Sequence, residues 1–219
     1  MITEQSQNEI RGHNYFNERQ YLKTNIRTGV TLNRAQTRYL SLTSDFLIGL
    51  RNGLINECGQ AANEVFHSAG KKWGRKYAER FDKELSDFYQ TPVNTFPLAV
   101  FSACLAESFS HHGWGKLQMD YTHHKNGLLI AVVRNPLYAT LVGESDQATD
   151  SLLAGIFGGV FTYFADRELA CFQTQCQACG AEDSRFVIGV SERLRDVSAW
   201  LEDGRSHDDI VLSLAEVSL

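Results

Sequence analysis

The sequence predicts an α+β fold in which helices pack on an antiparallel sheet built from two hairpins. Two observations favour this fold class. Apolar residues recur at helical spacing in several long segments, and two pairs of β-rich segments are each joined by a connection that contains glycine. Since helices and hairpins alternate along the chain, we expect one antiparallel sheet with the helices packed against it.

The N-terminal part of the chain is predicted to be an arm followed by helices. Residues 1–35 are rich in polar side chains and show no sustained period, so we expect an arm that is only partly ordered. A short strand is predicted within residues 38–42. A helix capped by Thr43 or Ser44 follows, and a second helix is predicted over residues 65–81.

The first hairpin follows a third helix, which begins near Pro97. Residues 117–121 alternate between apolar and polar side chains, and residues 128–133 are apolar and β-rich. Between them, Asn126 and Gly127 form a pair that readily adopts the positive φ of a tight hairpin turn.

The second hairpin lies between two further helical segments. A helix is predicted over residues 145–164, and the strands of the hairpin are predicted within residues 167–179 and 185–190. A helix then opens at Ser191, and a short tail helix starts near Ser206.

We therefore divide the chain into an N-terminal arm (1–35), a central domain (36–191) and a C-terminal helical extension (192–219).

Small residues lie one helical turn apart in two of the predicted helices. The pairs are Gly70 with Gly74, Ala154 with Gly158, and Gly155 with Gly159. Glycine inside a helix costs about 1 kcal/mol relative to alanine, so something should offset it. Close packing of two helices is the simpler explanation. The alternative is a groove in which a ligand or partner approaches the backbone.

Composition and charge exclude several classes of protein. The net charge of the 219 residues is −5, and no run of Lys or Arg is longer than the pair Lys71-Lys72, so we expect no nucleic-acid partner. No apolar run approaches the length of a transmembrane helix, and residues 1–10 lack the apolar segment of a signal peptide. Together with the odd number of cysteines, this predicts a cytoplasmic protein with free or metal-bound thiols.

No motif in the sequence assembles an active site. Glycine-rich phosphate loops, the nucleophile elbow and the zinc-protease motif are absent. The pairs His111-His112 and His123-His124 each offer at most one ligand to a shared metal ion, because adjacent side chains diverge. We therefore expect a protein without catalytic residues. Five aromatic residues are candidates for an apolar pocket, although core packing is the default explanation for them: Trp73, Phe101, Trp114, Phe157 and Phe161.

The segment from Cys171 to Gly180 contains three of the five cysteines and has two interpretations. Cys171, Cys176 and Cys179 are spaced so that a bend could bring their thiolates onto one metal ion. On an extended strand, however, Cys171 and Cys179 would share one face and Cys176 would lie on the other. Cys171, Cys176 and Cys179 are therefore weak metal-ligand candidates that lack a fourth ligand.

Several of these motifs together resemble the 4-vinyl reductase domain family. They are residues 65–81 with Gly70 and Gly74, His112-Gly-Trp-Gly115 before the first hairpin, Ala154-Gly-Ile-Phe-Gly-Gly159, and Cys176-Gln-Ala-Cys-Gly180 followed by residues 185–188. Their order and spacing match over residues 45–191. The resemblance implies the fold of the small subunits of TRAPP tethering complexes, which is usually dimeric and encloses an apolar pocket or channel.

The resemblance also implies a role in binding. Relatives include the sensing domains of phenol-responsive transcription activators and an accessory protein of bacteriochlorophyll synthesis. Residues 38–50 resemble the stand-alone cyanobacterial members, for which links to photosystem assembly are suggested. We therefore expect a homodimer that binds a small hydrophobic or aromatic molecule, such as a tetrapyrrole, or that helps to assemble a pigment–protein complex with a further protein partner. The alternatives are an interaction scaffold like the TRAPP subunits and an enzyme that reduces a vinyl group.

In zinc-binding members of this family, the resemblance implies ligands from an upstream Cys, a Glu-x-x-Cys motif and a later Cys. The corresponding positions in this sequence are Asp150, Gln173, Cys176 and Ser184. Only Cys176 keeps its ligand type, and an amide and a hydroxyl are poor substitutes for anionic ligands. We therefore expect that the zinc site is lost, unless Cys171 and Cys179 replace it in a different geometry.

Overall fold

The structure is a computed structural model, and it describes residues 15, 16 and 21–216. The described helices are α1 (Ser44–Cys58), α2 (Ala61–Tyr89), α3 (Leu98–His111), α4 (Leu137–Val142), α5 (Ser151–Ala165), α6 (Val197–Glu202) and α7 (His207–Glu216). Short 3₁₀ turns cover Val93–Thr95, His124–Asn126 and Gln177–Cys179. Among these elements, no helix combines the length and the apolar character that a membrane span requires.

Two antiparallel sheets accompany the helices. The N-terminal sheet consists of β1 (Leu22–Asn25), β2 (Val30–Asn33) and β3 (Arg38–Tyr39), in that order. The central sheet consists of β4 (Lys116–Asp120), β5 (Leu129–Arg134), β6 (Ala170–Gln175) and β7 (Ser184–Gly189), in the order β4-β5-β7-β6. The predicted α+β fold with two hairpins is therefore confirmed, and β5 pairs with β7 to join the hairpins into one sheet.

Both faces of the central sheet are covered by helices. Phe186 and Ile188 of β7 are fully buried in the main core, which they share with residues of α2, α3 and α5. The intervening Val187 belongs to a second core on the opposite face, which α6 and α7 complete. Because alternate residues of a strand point to opposite faces, one apolar strand can supply both cores.

The N-terminal sheet is a feature that the sequence analysis did not predict. Its first turn is made by Asn25, whose side-chain oxygen accepts hydrogen bonds from the backbone N–H groups of Arg27 and Thr28. Gly29 then adopts a φ of +67°, which favours glycine. Tyr21 is 2% exposed and belongs to the main core, so this part of the predicted arm packs against the helices.

Several boundaries differ from the predicted ones. The β4–β5 connection extends over residues 121–128 with a 3₁₀ turn, so it is longer than the predicted tight turn, although Gly127 has the expected positive φ of 71°. A separate helix, α4, follows Pro136, and α5 begins only at Ser151. The helix predicted to open at Ser191 begins at Val197.

Helices α2 and α5 cross at the paired glycines. A Cβ atom added to Gly70 or Gly74 would lie closer than 3.0 Å to the carbonyl oxygen of Leu152 or Ile156 on α5. A Cβ atom on Gly155 or Gly159 would collide in the same way with carbonyl oxygens of α2. Close helix packing is therefore the explanation that the structure supports for these two pairs, and no groove is left between them.

We expect Gly155→Ala to destabilise the protein by about 1–3 kcal/mol, since its Cβ would meet backbone that cannot move away cheaply. Gly53→Ala is the matched control, because Gly53 lies in the helix α1 and has nothing within 4 Å of the added Cβ. That control should leave the free energy of unfolding unchanged or raise it by up to about 1 kcal/mol. Urea denaturation of both variants measures the difference, and equal stabilities would contradict the packing argument.

Candidate ligand-binding site

The end of helix α3 places two potential binding residues against helix α2. The N–H of Trp114 donates to the carbonyl of Phe109, and the N–H of Gly113 donates to the carbonyl of Ser110. This is the Schellman pattern of a helix C-terminus, and Gly113 takes the left-handed position with a φ of +71°. His112 and Trp114 therefore leave the helix on either side of Gly113 in fixed positions.

An aromatic cluster forms where these residues meet α2. The Trp73 ring stacks on Tyr77 with centroids 5.1 Å apart and meets the Trp114 ring edge-on at 5.6 Å. The His112 ring packs edge-on against Tyr77 at 5.4 Å, and the Tyr39 ring of the N-terminal sheet lies 5.4 Å from His112 on its other side. Such edge-on and stacked pairs contribute about 0.5–1.5 kcal/mol each beyond the burial of area.

A chain of hydrogen bonds runs through this aromatic cluster. His112 Nδ1 lies 2.7 Å from the carbonyl oxygen of Ser108, so Nδ1 carries a hydrogen and donates it. Burial lowers the pKa of His112, which favours the neutral ring and leaves Nε2 as an acceptor. The hydroxyl of Tyr39 is 3.4 Å from Nε2 and 2.7 Å from the hydroxyl of Tyr21. Donation therefore runs from Tyr21 to Tyr39 to His112.

One buried donor in the cluster has no partner. The indole Nε1 of Trp114 is inaccessible to solvent and makes no hydrogen bond within the described part of the chain. A buried N–H without an acceptor costs about 1–3 kcal/mol.

Two cavities adjoin the aromatic cluster. The inner cavity has a volume of about 10 Å³, enough for a single water molecule, and is lined by Tyr21, Tyr39, Tyr77 and His112 among others. The outer cavity has a volume of about 550 Å³, lies between α2 and the N-terminal sheet and opens to solvent. That volume is within the range of small-molecule sites. Arg80 and Glu84 line both cavities, so the two cavities are adjacent, and together they form the candidate site.

The carboxylate of Glu84, which lines the outer cavity, already accepts several hydrogen bonds. The carboxylate of Glu84 accepts hydrogen bonds from Tyr15 Oη at 2.8 Å, from Thr37 Oγ1 at 2.7 Å, and from Asn33 Nδ2 at 2.9 and 3.0 Å. Burial and the neighbouring Glu84 carboxylate raise the pKa of Tyr15, which therefore stays a donor. The carboxylate thus ties the N-terminal sheet to α2.

The five aromatic residues proposed from the sequence do not gather in one place. Trp73 and Trp114 meet in the aromatic cluster. Phe101 packs on Phe81 and Phe164, Phe157 stacks on Phe109, and Phe161 is 5% exposed in the main core. None of the five lines the two cavities described here.

The contribution of the N-terminal sheet to this site was not predicted from the sequence. The cavities are lined on this side by Tyr15, Arg34, Thr37 and Tyr39. Tyr15 and Arg34 fall in the segment that was interpreted as an arm. The signal that could have identified them is the aromatic spacing of Tyr15, Phe16 and Tyr21 in an otherwise polar segment.

Cys171 lies apart from the other two cysteines of the 171–180 segment. Cys171 lies in β6 and is buried in the main core, where burial raises the pKa of its thiol. Cys176 follows the strand and is buried in a small separate core with Ala139 and Ala178. Cys179 is exposed, and partial burial together with the neighbouring Cys176 raises its pKa to about 11. The thiols of Cys176 and Cys179 are hydrogen-bonded neighbours, but Cys171 belongs to a different core, so the three do not share one point.

The positions at which the family resemblance implies zinc ligands do converge, but they form a hydrogen-bonded cluster. Ser184 Oγ donates to Asp150 Oδ2 at 3.1 Å, and Gln173 Nε2 donates to the same oxygen at 3.2 Å. Gln173 Oε1 accepts from the backbone N–H of Asp150 at 3.0 Å, and the N–H of Ala139 donates to Asp150 Oδ1 at 3.2 Å. This cluster, Asp150–Gln173–Ser184, joins the start of α5 to α4, β6 and β7.

The residues of this cluster do not fit a zinc ion. Burial raises the pKa of Asp150, which disfavours the charged form that a metal ligand needs. The Gln173 amide donates where the family pattern would place an anionic ligand, and Cys176 Sγ lies 3.7 Å from the hydroxyl of Thr149. Among residues 15, 16 and 21–216, no group of three or more His, Cys, Asp or Glu side chains could hold a metal ion.

Comparison with known proteins identifies the fold through solved structures alone. No family model matches the chain, and no curated protein sequence is significantly similar to it. The phenol-responsive sensory domain of the transcription activator PoxR, solved with phenol, is similar over 99% of this chain and 100% of its own, with a TM-score of 0.67 and 14% identity.

Two further solved structures are similar to parts of this chain. A trafficking protein particle complex subunit 3 from Naegleria fowleri, covalently bound to palmitic acid, matches 67% of this chain and 93% of its own, with a TM-score of 0.51 and 12% identity. A vinyl-4-reductase family protein from Methanocaldococcus jannaschii covers 68% of this chain and 82% of its own, with a TM-score of 0.44 and 14% identity. The chain thus has the fold of the PoxR sensory domain and of the TRAPP subunit.

If the cluster is a zinc site that has lost its ligands, restoring them should restore binding. We expect the triple variant Asp150→Cys, Gln173→Glu, Ser184→Cys to retain about one zinc ion per chain after dialysis, since Cys176 already lies at the fourth position. The unmodified protein and the single variant Ser184→Cys should retain none there. Elemental analysis of the dialysed proteins measures this. Stoichiometric zinc in the unmodified protein that disappears with Cys176→Ala would contradict our assignment.

Proposed function

We propose that this chain is a non-catalytic binding protein for a small hydrophobic or aromatic molecule, which it takes up in the candidate site between α2, α3 and the N-terminal sheet. The observation that carries the proposal is the aromatic cluster with its embedded polar groups beside a cavity of about 550 Å³. Binding sites for small organic molecules combine this kind of apolar wall with a few polar groups that orient the ligand.

The polar groups of the cluster suit a ligand that carries a hydroxyl or a similar group. Tyr39 already presents a phenol hydroxyl to His112, at 3.4 Å, so the site can accommodate that chemistry. The fold supports the proposal as well, since the PoxR sensory domain was solved with phenol and the TRAPP subunit with palmitic acid.

The chemistry of the site favours binding over catalysis. Both nitrogens of His112 are engaged in hydrogen bonds, and the ring is held neutral. The thiol of Cys104, on helix α3, has its pKa raised to about 11 by burial, so at neutral pH it is a protonated, weakly reactive group. A vinyl reductase would in addition need a source of hydride or electrons.

A tetrapyrrole ligand and a role in assembling pigment–protein complexes are narrower versions of this proposal. An absorption spectrum of freshly purified protein separates them from the general one, because a bound tetrapyrrole absorbs visible light. A coloured protein would favour the narrower versions, and a colourless protein with a bound aromatic molecule would favour a sensor.

Helix α1 supports a second candidate function, that of a dimeric interaction scaffold. None of its 15 residues is buried, although it carries Phe46 at 52% and Leu50 at 47% exposure. Leu40 and Leu42, just before the helix, are 76% and 54% exposed. An exposed apolar surface of this kind is typical of an interface. We propose that a second copy of the chain covers it, and that ligand binding and dimerisation coexist.

We expect the protein to bind the neutral fluorescent probe N-phenyl-1-naphthylamine saturably. Quenching of the emission of Trp73 and Trp114 should accompany binding, because these rings lie next to the inner cavity residues Tyr77 and His112. The titration is best performed in a Trp200→Phe background, since Trp200 packs in the second core.

Two variants that each add one aromatic ring serve as a matched pair for this titration, one inside the outer cavity and one outside it. Ala35→Phe places a ring in the outer cavity and should weaken binding by about tenfold or more. Ala61→Phe adds the same ring at an exposed position at the start of α2 and should have no effect. Equal binding by both variants would mean that the probe binds elsewhere, and the absence of binding in the unmodified protein would count against the proposal.

We expect the unmodified chain to be a dimer in solution and the double variant Phe46→Glu, Leu50→Glu to be a monomer. Two carboxylates in the apolar surface would have to be desolvated on association, which costs several kcal/mol. Leu212→Glu is the control, because Leu212 is 58% exposed on α7, away from this surface. Light scattering coupled to size exclusion gives the masses. A monomeric unmodified chain would rule out the scaffold function in this form.

A further inference from the structure

The outer cavity holds more unused hydrogen-bond donors than acceptors. Arg80 lines both cavities, yet its guanidinium has no hydrogen-bond acceptor or ion-pair partner among the described residues. The ammonium group of Lys83, which lines the outer cavity, likewise has no such partner among the described residues. An Arg can donate five hydrogen bonds and a Lys three, so most of the donor capacity of this cavity is available to a ligand.

The acceptor capacity of the cavity is largely occupied. Each oxygen of Glu84 already accepts two hydrogen bonds, from Asn33 together with Tyr15 or Thr37. The carboxylate of Asp87 remains as an acceptor at the rim, where the side chain is exposed. A ligand that enters this cavity therefore meets donors at its base and few free acceptors.

The third cation of the cavity is held in place by aromatic rings. The guanidinium of Arg34 lies over the Phe88 ring at 4.8 Å and over the Tyr15 ring at 5.7 Å, and it donates to the backbone carbonyl of Tyr15 at 3.1 Å. Its remaining N–H groups stay available. The lining thus carries three cationic side chains, Arg34, Arg80 and Lys83, against two anionic ones, Glu84 and Asp87. This local excess contrasts with the net charge of −5 on the chain.

Arg80 is placed to contact the polar end of a ligand whose ring lies against Tyr15 and Phe88, the aromatic side chains that line the outer cavity. Arg80 also lines the inner cavity, whose volume of about 10 Å³ admits a water molecule but no ring. Guanidinium and ammonium groups bind carboxylates and sulfonates through charge-assisted hydrogen bonds, which are about twice as strong as neutral ones. A neutral ligand would leave these donors to water.

We propose that the ligand of this site is a small aromatic anion whose carboxylate or equivalent acidic group is bound by Arg80 and Lys83 in the outer cavity. This inference rests on the proposed function and specifies the chemical class of the ligand. It requires the ligand to be an acceptor at one end and apolar at the other.

A matched pair of fluorescent probes tests the proposal on the full chain. 1-Anilinonaphthalene-8-sulfonate is N-phenyl-1-naphthylamine with one added sulfonate, so the two differ only in the anionic group. We expect the sulfonate to bind at least about tenfold more tightly, and its affinity to fall as salt is raised. Arg80→Gln and Lys83→Gln should each weaken sulfonate binding about tenfold and leave the neutral probe unchanged.

Lys72→Gln is the control for net charge, because it removes one positive charge from an exposed position on the same helix α2 outside the cavity. Its affinity for both probes should equal that of the unmodified chain, and thermal unfolding verifies that all variants fold. Equal affinities for the two probes, or equal losses for both in Arg80→Gln, would overturn the anionic ligand while the proposed function stands. Failure of both probes to bind would overturn the proposed function together with this inference.

Discussion

The contact between helices α2 and α5 at their glycines is the constraint on which the rest of the structure depends. Backbone meets backbone there, because any Cβ at Gly70, Gly74, Gly155 or Gly159 would come closer than 3.0 Å to a carbonyl oxygen. The same helix carries Trp73, Tyr77, Arg80 and Glu84 at positions i, i+4, i+7 and i+11, which lie on a neighbouring stripe. The α5 contact therefore sets the direction in which the site residues of α2 face the N-terminal sheet.

Much of the fold could be predicted from the sequence, because its periods are strong where the chain is buried on one or two faces. The two hairpins and the long helices follow from such periods, and the glycine spacing predicted the α2–α5 contact. The N-terminal sheet escaped prediction because β1 is exposed along its whole length, so no alternation marks it. The Tyr15 and Arg34 side of the site was missed with it, while Trp73 and Trp114, which were proposed from the sequence, meet in the aromatic cluster but line neither cavity.

The segment around Cys176 shows how a family pattern can predict position without predicting chemistry. Cys171 lies apart from Cys176 and Cys179. The family resemblance groups Asp150, Gln173 and Ser184, and the structure has these three residues in direct hydrogen bonds. The fold needs these elements joined at this point, because α5, β6 and β7 meet there. A network of neutral donors around one buried carboxyl can join them as a metal ion would.

The candidate site lies between helix α2 and the segment that contains the N-terminal sheet. Ligand binding is therefore linked to the position of that sheet. The sheet side contributes Tyr15, Arg34, Thr37 and Tyr39, while α2 contributes Arg80, Lys83 and Glu84. In the absence of a ligand, Glu84 and the Tyr39–His112 contact hold the two sides together. A ligand that contacts both sides must, by linkage, stabilise the docked sheet by the same free energy with which docking favours the ligand. The N-terminal sheet is therefore the element whose docking would change when a ligand binds, and a partner protein could respond to that change.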